Sequence, residues 1–119
     1  MLIQDFSFVH SESTLKRILI QRKNLGLSLF DVMLFFYLVI LSRRRIFIKM
    51  TTAELAEDIQ EPVQKVRASL KALHSLNLCK RVKYSIHSGI MINPEIINNG
   101  PKSRQAFKFK LWDENLHSS

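Results

Sequence analysis

The sequence predicts a mainly α domain that carries one small β-hairpin, and three observations predict it. Residues 51–77 (TTAELAEDIQEPVQKVRASLKALHSLN) read as a capped short helix, a tight turn and a longer basic amphipathic helix. Two short basic, β-prone runs follow, separated by a polar stretch. An almost uninterrupted apolar stretch at 29–41 supplies a helix for the centre of the fold. Together these give the layout of a winged helix-turn-helix, read as one domain over 1–119 with its core at about 13–93 and a C-terminal extension over 94–119.

Each element has a local reason. Residues 5–10 (DFSFVH) alternate weakly, as a short strand does. Leu15, Ile18 and Leu19 then give the i, i+3, i+4 spacing of a helix capped by Ser13 and ended by Gly26. Ser28 and Asp31 form a capping box for the apolar helix, and Thr51 and Glu54 form another for the third helix. Gln60 and Glu61 make the turn, and Pro62 suits the first helical position because its missing N–H has no partner to lose there. The fourth helix, about 62–76, repeats Val63, Val66, Leu70 and Leu73 on one face, and Asn77 suits the left-handed residue that closes it. Strands are expected at 78–86 and 89–92, joined through His87, Ser88 and Gly89, with Asn93 and Pro94 stopping the second. A last helix at about 103–112 presents Phe107, Leu111 and Trp112 to the body, and a frayed tail is expected from Asp113 on.

Eighteen Lys and Arg against ten Asp and Glu give a formal net charge of +8, which points to an anionic partner, nucleic acid first. Enzymatic classes lack their residues. Gly26, Gly89 and Gly100 are isolated, so there is no phosphate-cradling loop. His10, His74, His87 and His117 have no metal-ligand spacing, and no serine sits in a nucleophile elbow. Neither Tyr37 nor Tyr84 has the His-x-His partner that a nicking tyrosine needs. A binder without cofactor or metal is therefore expected. The apolar run at 29–41 is shorter than the ~20 residues of a spanning helix, so no membrane partner is expected. With Cys79 as the lone cysteine and no apolar leader, the cytoplasm is the expected compartment.

The candidate contacts lie on the fourth helix and the hairpin. Gln64 has the donor–acceptor pair that reads adenine, and Lys65 suits guanine or a phosphate. Arg67, Ala68 and Lys71 complete that surface, with Lys71 the better phosphate contact. The same polar residues also suit an ordinary solvated helix face; the run Lys80, Arg81, Lys83 is what extends the positive surface onto the hairpin. Alternation puts Lys80, Val82 and Tyr84 on one strand face and Arg81 and Lys83 on the other, which makes Arg81 and Lys83 the better backbone contacts. His87 at the tip either approaches a groove or serves only the turn. Lys102 and Arg104, with Lys108 and Lys110, either line a DNA flank or form the polar face of the last helix. Trp112 reads as a core or dimer anchor. Two base readers per subunit supply little specificity, so a homodimer, a partner protein or DNA deformability must add the rest.

The stretch LAEDIQEPVQKVRASLKALHSLNLCKR resembles bacterial winged helix-turn-helix regulators. The continuation GIMINPEIINNG and KSRQAFKFKLW looks like the end of plasmid replication proteins of the RepL type, and FSFVHSESTLKRIL is similar to that family's opening strand and helix. Gln60 stands where such turns usually carry glycine, and Glu61 and Pro62 replace an apolar–Ser pair. The resemblance implies binding of double-stranded DNA at an origin and recruitment of host replication proteins in plasmid or phage replication. A small transcriptional regulator on the same fold, or a winged-helix protein-interaction module meeting an acidic partner, are the alternative readings.

Overall fold

The computed structural model describes residues 15–98 and 100–115. The expected strand at 5–10 and the Ser13 cap lie outside the described residues. A helical segment, α1 (residues 15–20), leads through a turn to α2 (Leu29–Leu41), α3 (Thr52–Ile59) and α4 (Val63–Ser75). The hairpin strands β1 (Cys79–Tyr84) and β2 (His87–Ile92) follow, and α5 (Lys102–Glu114) closes the order. No helix among the described residues is long and apolar enough to cross a membrane.

Both expected capping boxes form. The Asp31 N–H donates to Ser28 Oγ at 3.0 Å and the Ser28 N–H to Asp31 Oδ2 at 2.9 Å. Thr51 and Glu54 repeat the exchange at 3.0 and 2.9 Å, so two otherwise orphaned N–H groups are satisfied at each helix start. Gln60 takes the left-handed conformation (φ 57°, ψ 48°), which reverses the chain between α3 and α4. Pro62 sits one residue before α4 as its extended cap rather than inside it. Asn77 is left-handed as its side chain allows (φ 61°), and the Leu78 N–H closes α4 on the Leu73 carbonyl at 3.1 Å. Asn93 ties the exits of α4 and β2 together by donating Nδ2 to the Asn77 carbonyl at 2.8 Å.

The hairpin turns earlier than the glycine suggests. Its two-residue turn is Ser85–Ile86, with Ser85 left-handed (φ 58°), and His87 is already the first residue of β2. Gly89 lies inside β2 opposite Val82. Ile48 makes an antiparallel bridge to Ile90 there, with N–H···O contacts of 2.8 and 2.9 Å. A Cβ on residue 89 would land on the Ile48 carbonyl, so the glycine serves close backbone approach and not the turn.

Directly opposed residues share a face of the hairpin. Cys79, Ile90 and Ile92 join α2, α3 and α4 in the main core, around Phe35, Leu38, Leu55, Val66 and Leu73. Val82 and Met91 turn the other way and form a second core with Phe47, Leu111 and Trp112. The hairpin is thus clamped from both sides, by α3 and α4 on one and α5 on the other.

Two expectations about burial change. Helix α2 buries Val32, Leu34, Phe35 and Leu38, but Leu29, Met33 and Ile40 stay exposed on one stripe. The helix is apolar all round, yet the packed elements cover only one side of it. Helix α5 also runs further than expected. Its end is held where Asn115 accepts the Lys83 N–H at 3.0 Å and donates to the Leu111 carbonyl at 2.9 Å, so Asp113 and Glu114 are helical rather than frayed.

Two stability outcomes follow and urea unfolding reads both. Gly89→Ala should cost at least about 3 kcal/mol, because backbone rather than a movable side chain blocks the methyl. Gln60→Gly should stabilise by ~1 kcal/mol by relieving the left-handed cost of a residue with a Cβ.

Candidate nucleic-acid interface

On α4 the core stripe fixes what faces outward. Val66 and Leu73 are fully buried, so Gln64, Arg67, Ala68 and Lys71 are left exposed. Arg67, Lys71 and His74 follow i, i+4, i+7 spacing down one flank, the flank beside the hairpin. There they line an open cleft of about 350 Å³ between α4 and β1, which Arg81 enters from the strand side. Leu70 and Ile90 form part of its floor, and among the described residues no carboxylate lines it. The Arg81 guanidinium donates to the Thr52 hydroxyl at the start of α3, which holds the charge at the cleft edge. An open site with several cations and no acid favours an anion, and the guanidinium groups suit phosphate oxygens.

The expected site residues separate into groups. Lys65 projects toward α2, on the other flank of α4. Its Nζ donates to Glu61 Oε1 at 3.1 Å and lies 4.4 Å from the Phe30 ring centroid. This is the only salt bridge among the described residues, so Lys65 is the one α4 cation already partnered by a carboxylate. Lys80, expected to extend the positive surface, is instead buried with Nζ 4.2 Å from the Trp112 ring centroid. Its face of the strand is the one that packs on α5. Burial lowers its pKa, and Asp113 nearby opposes that shift. Lys83 is exposed on the same face as Arg81.

His87 does not join Arg81 and Lys83. It pairs with Tyr84 and therefore shares the opposite face, where it lines a second cleft of about 550 Å³ with Arg44, Arg45, Lys49 and Arg104. Lys102 is exposed at the start of α5. The rest of the expected C-terminal cluster splits. Lys110 is exposed, but Lys108 is buried, and burial with Arg104 beside it lowers its pKa. Trp112 is a core residue of the second cluster.

Residues 43–45 and Lys49 went unread as site residues in the sequence. Three consecutive arginines were the available signal, but a basic run after an apolar helix reads simply as its exit. Only the bridge between Ile48 and Ile90 brings them beside the hairpin. Among the described residues no group of three or more His, Cys, Asp and Glu side chains could hold a metal. Cys79 is buried in the main core, and desolvation pushes its thiol up to about 12 against the opposing pull of Arg81.

A capped helix–turn–helix pair with an antiparallel hairpin beside it defines a small helix-plus-hairpin domain, compatible with a winged helix. The chain belongs to the RepL family, described as Firmicute plasmid replication protein, whose model matches residues 11–115. Comparison with curated proteins and with solved structures gave no match.

The buried thiol has a direct consequence. At pH 8 a thiol-reactive dye should leave Cys79 unmodified in the native chain and label it fully in denaturant. Because the native pKa is raised, the unfolded chain loses the thiol proton first. Stability from this group is complete below the ordinary thiol range and declines as pH climbs through it toward about 12.

Proposed function

We propose that this replication protein binds double-stranded DNA at a plasmid origin, with α4 in the major groove and the Arg81–Lys83 face of the hairpin on the adjoining backbone. The observation that carries the reading is the acid-free cleft between α4 and β1, lined by Arg67, Lys71 and Arg81. A helix seated in a groove about 12 Å wide has a phosphate ridge along each flank. Cations between that helix and a neighbouring strand lie where one such ridge would pass. Gln64 in the first turn is exposed and suits an adenine edge, and Ala68 is small enough to let the helix approach closely. Lys65 contributes less, since Glu61 already neutralises it.

The role is that of a binder, which marks the origin and recruits host replication proteins without a catalytic step of its own. Membership of a plasmid replication family supports the origin as target over a promoter. Footprints confined to promoter elements, with plasmid copy number unaffected by loss of the protein, would favour the transcriptional reading instead.

Four cations on this face (Arg67, Lys71, Arg81 and Lys83), none paired with a carboxylate among the described residues, give a log–log salt slope of about −3.5 for duplex binding. Arg67→Ala with Lys71→Ala should flatten that slope by about 2 and weaken every duplex alike. Gln64→Ala should alter preference between sequences by about 1–3 kcal/mol while changing nonspecific affinity little. Fluorescence anisotropy across a salt series measures all three, and a double variant with wild-type slope would contradict the groove assignment.

A further inference from the structure

We propose that the α5-facing side of the hairpin is a second nucleic-acid site, which takes single-stranded DNA with one base stacked on Tyr84. It uses none of the α4 residues, because strand alternation puts Tyr84 and His87 on the face opposite Arg81. Tyr84 is 48% exposed and its ring is held edge-to-face on Phe107 at 5.2 Å between centroids. A ring so fixed loses little freedom when a base covers it. Around it, Arg44, Arg45, Lys49 and Arg104 line the cleft of about 550 Å³, and no carboxylate does among the described residues.

The charge continues beyond the ring. Arg44 and Arg104 also line an adjoining cleft of about 420 Å³ with Arg43, so the cations form a track rather than a point. The left-handed backbone at Arg44 (φ 63°) turns the chain sharply at the junction of the two clefts. A positive track beside an accessible aromatic face is what an unpaired strand needs, since its bases are free to stack and its phosphates lie in line. A duplex offers no unstacked base to Tyr84, so the ring favours the single strand. At the hairpin tip, between the two faces, Ile86 is 90% exposed. An apolar side chain there suits the point where paired bases part.

The test uses the full chain, a fluorescently labelled oligothymidine and a duplex of equal length, read by anisotropy. Tyr84→Ala should weaken oligothymidine binding about tenfold and leave duplex affinity unchanged, and Tyr84→Phe should restore wild-type behaviour. Arg67→Ala with Lys71→Ala should do the converse, so unchanged duplex binding in that variant would sink the α4 reading and not this one. With the unmutated protein, photocrosslinking to bromodeoxyuridine-substituted single strands should mark the peptide that contains Tyr84. Unchanged oligothymidine affinity in Tyr84→Ala overturns the proposal. So does an equal loss on both substrates, which would make this face a duplex flank, and so do crosslinks confined to α4.

Discussion

The backbone pairing of Ile48 with Ile90 across Gly89 is the constraint on which the arrangement of charge depends. It leaves no room for a Cβ, so the connection from α2 to α3 lies flat against the second hairpin strand. Phe47 then faces the α5 side while Ile48 faces the main core. The hairpin becomes a partition with an apolar cluster on each side, and its register decides which side every strand residue serves. Shifting that register by one residue would exchange Arg81 with Lys80 and put the buried lysine into solvent.

Net charge alone would mislead about the surface. Three lysines are engaged by the fold itself: Lys65 by Glu61 and Phe30, Lys80 by Trp112, and Lys108 by burial in the α5 layer. At the buried Lys80 the cation–π contact recovers part of what desolvation costs the ammonium, and the long alkyl stem adds apolar cover. Among the other cations, two clusters stand on opposite sides of the hairpin. One lies along α4 and the outer β1 face, the other along the loop after α2 and the start of α5. Neither cleft has a lining carboxylate among the described residues, so both fields act on solvent rather than being spent internally.

Much of this was legible in the residue order, because it is local. The capping boxes at Ser28 and Thr51, the left-handed Asn77 and the stripe Val66–Leu73 depend on neighbours within a turn or two. Alternation along β1 also separated Arg81 from Lys80, although it did not say which face was covered. A few misses are local, such as the Glu61 carboxylate one turn before Lys65, but the larger ones are non-local. Gly89 looked like a turn residue because its real reason, the approach of Ile48, lies 41 positions away in the chain. Lys80 looked exposed because a lysine gives no sign that a tryptophan will lie under it. The exposed stripe of α2 was hidden by uniform apolarity, which carries no direction. Arg44 and Arg45 acquired a role only once the bridge set them beside Tyr84.

Backbone amide shifts measured by heteronuclear NMR during titration with duplex DNA examine the partition most directly. The account predicts perturbation over residues 64–71 and at Arg81 and Lys83, with the exposed stripe of α2 and the α5 face unmoved. Shifts concentrated on Leu29, Met33 and Ile40 or along α5, with α4 silent, would contradict it.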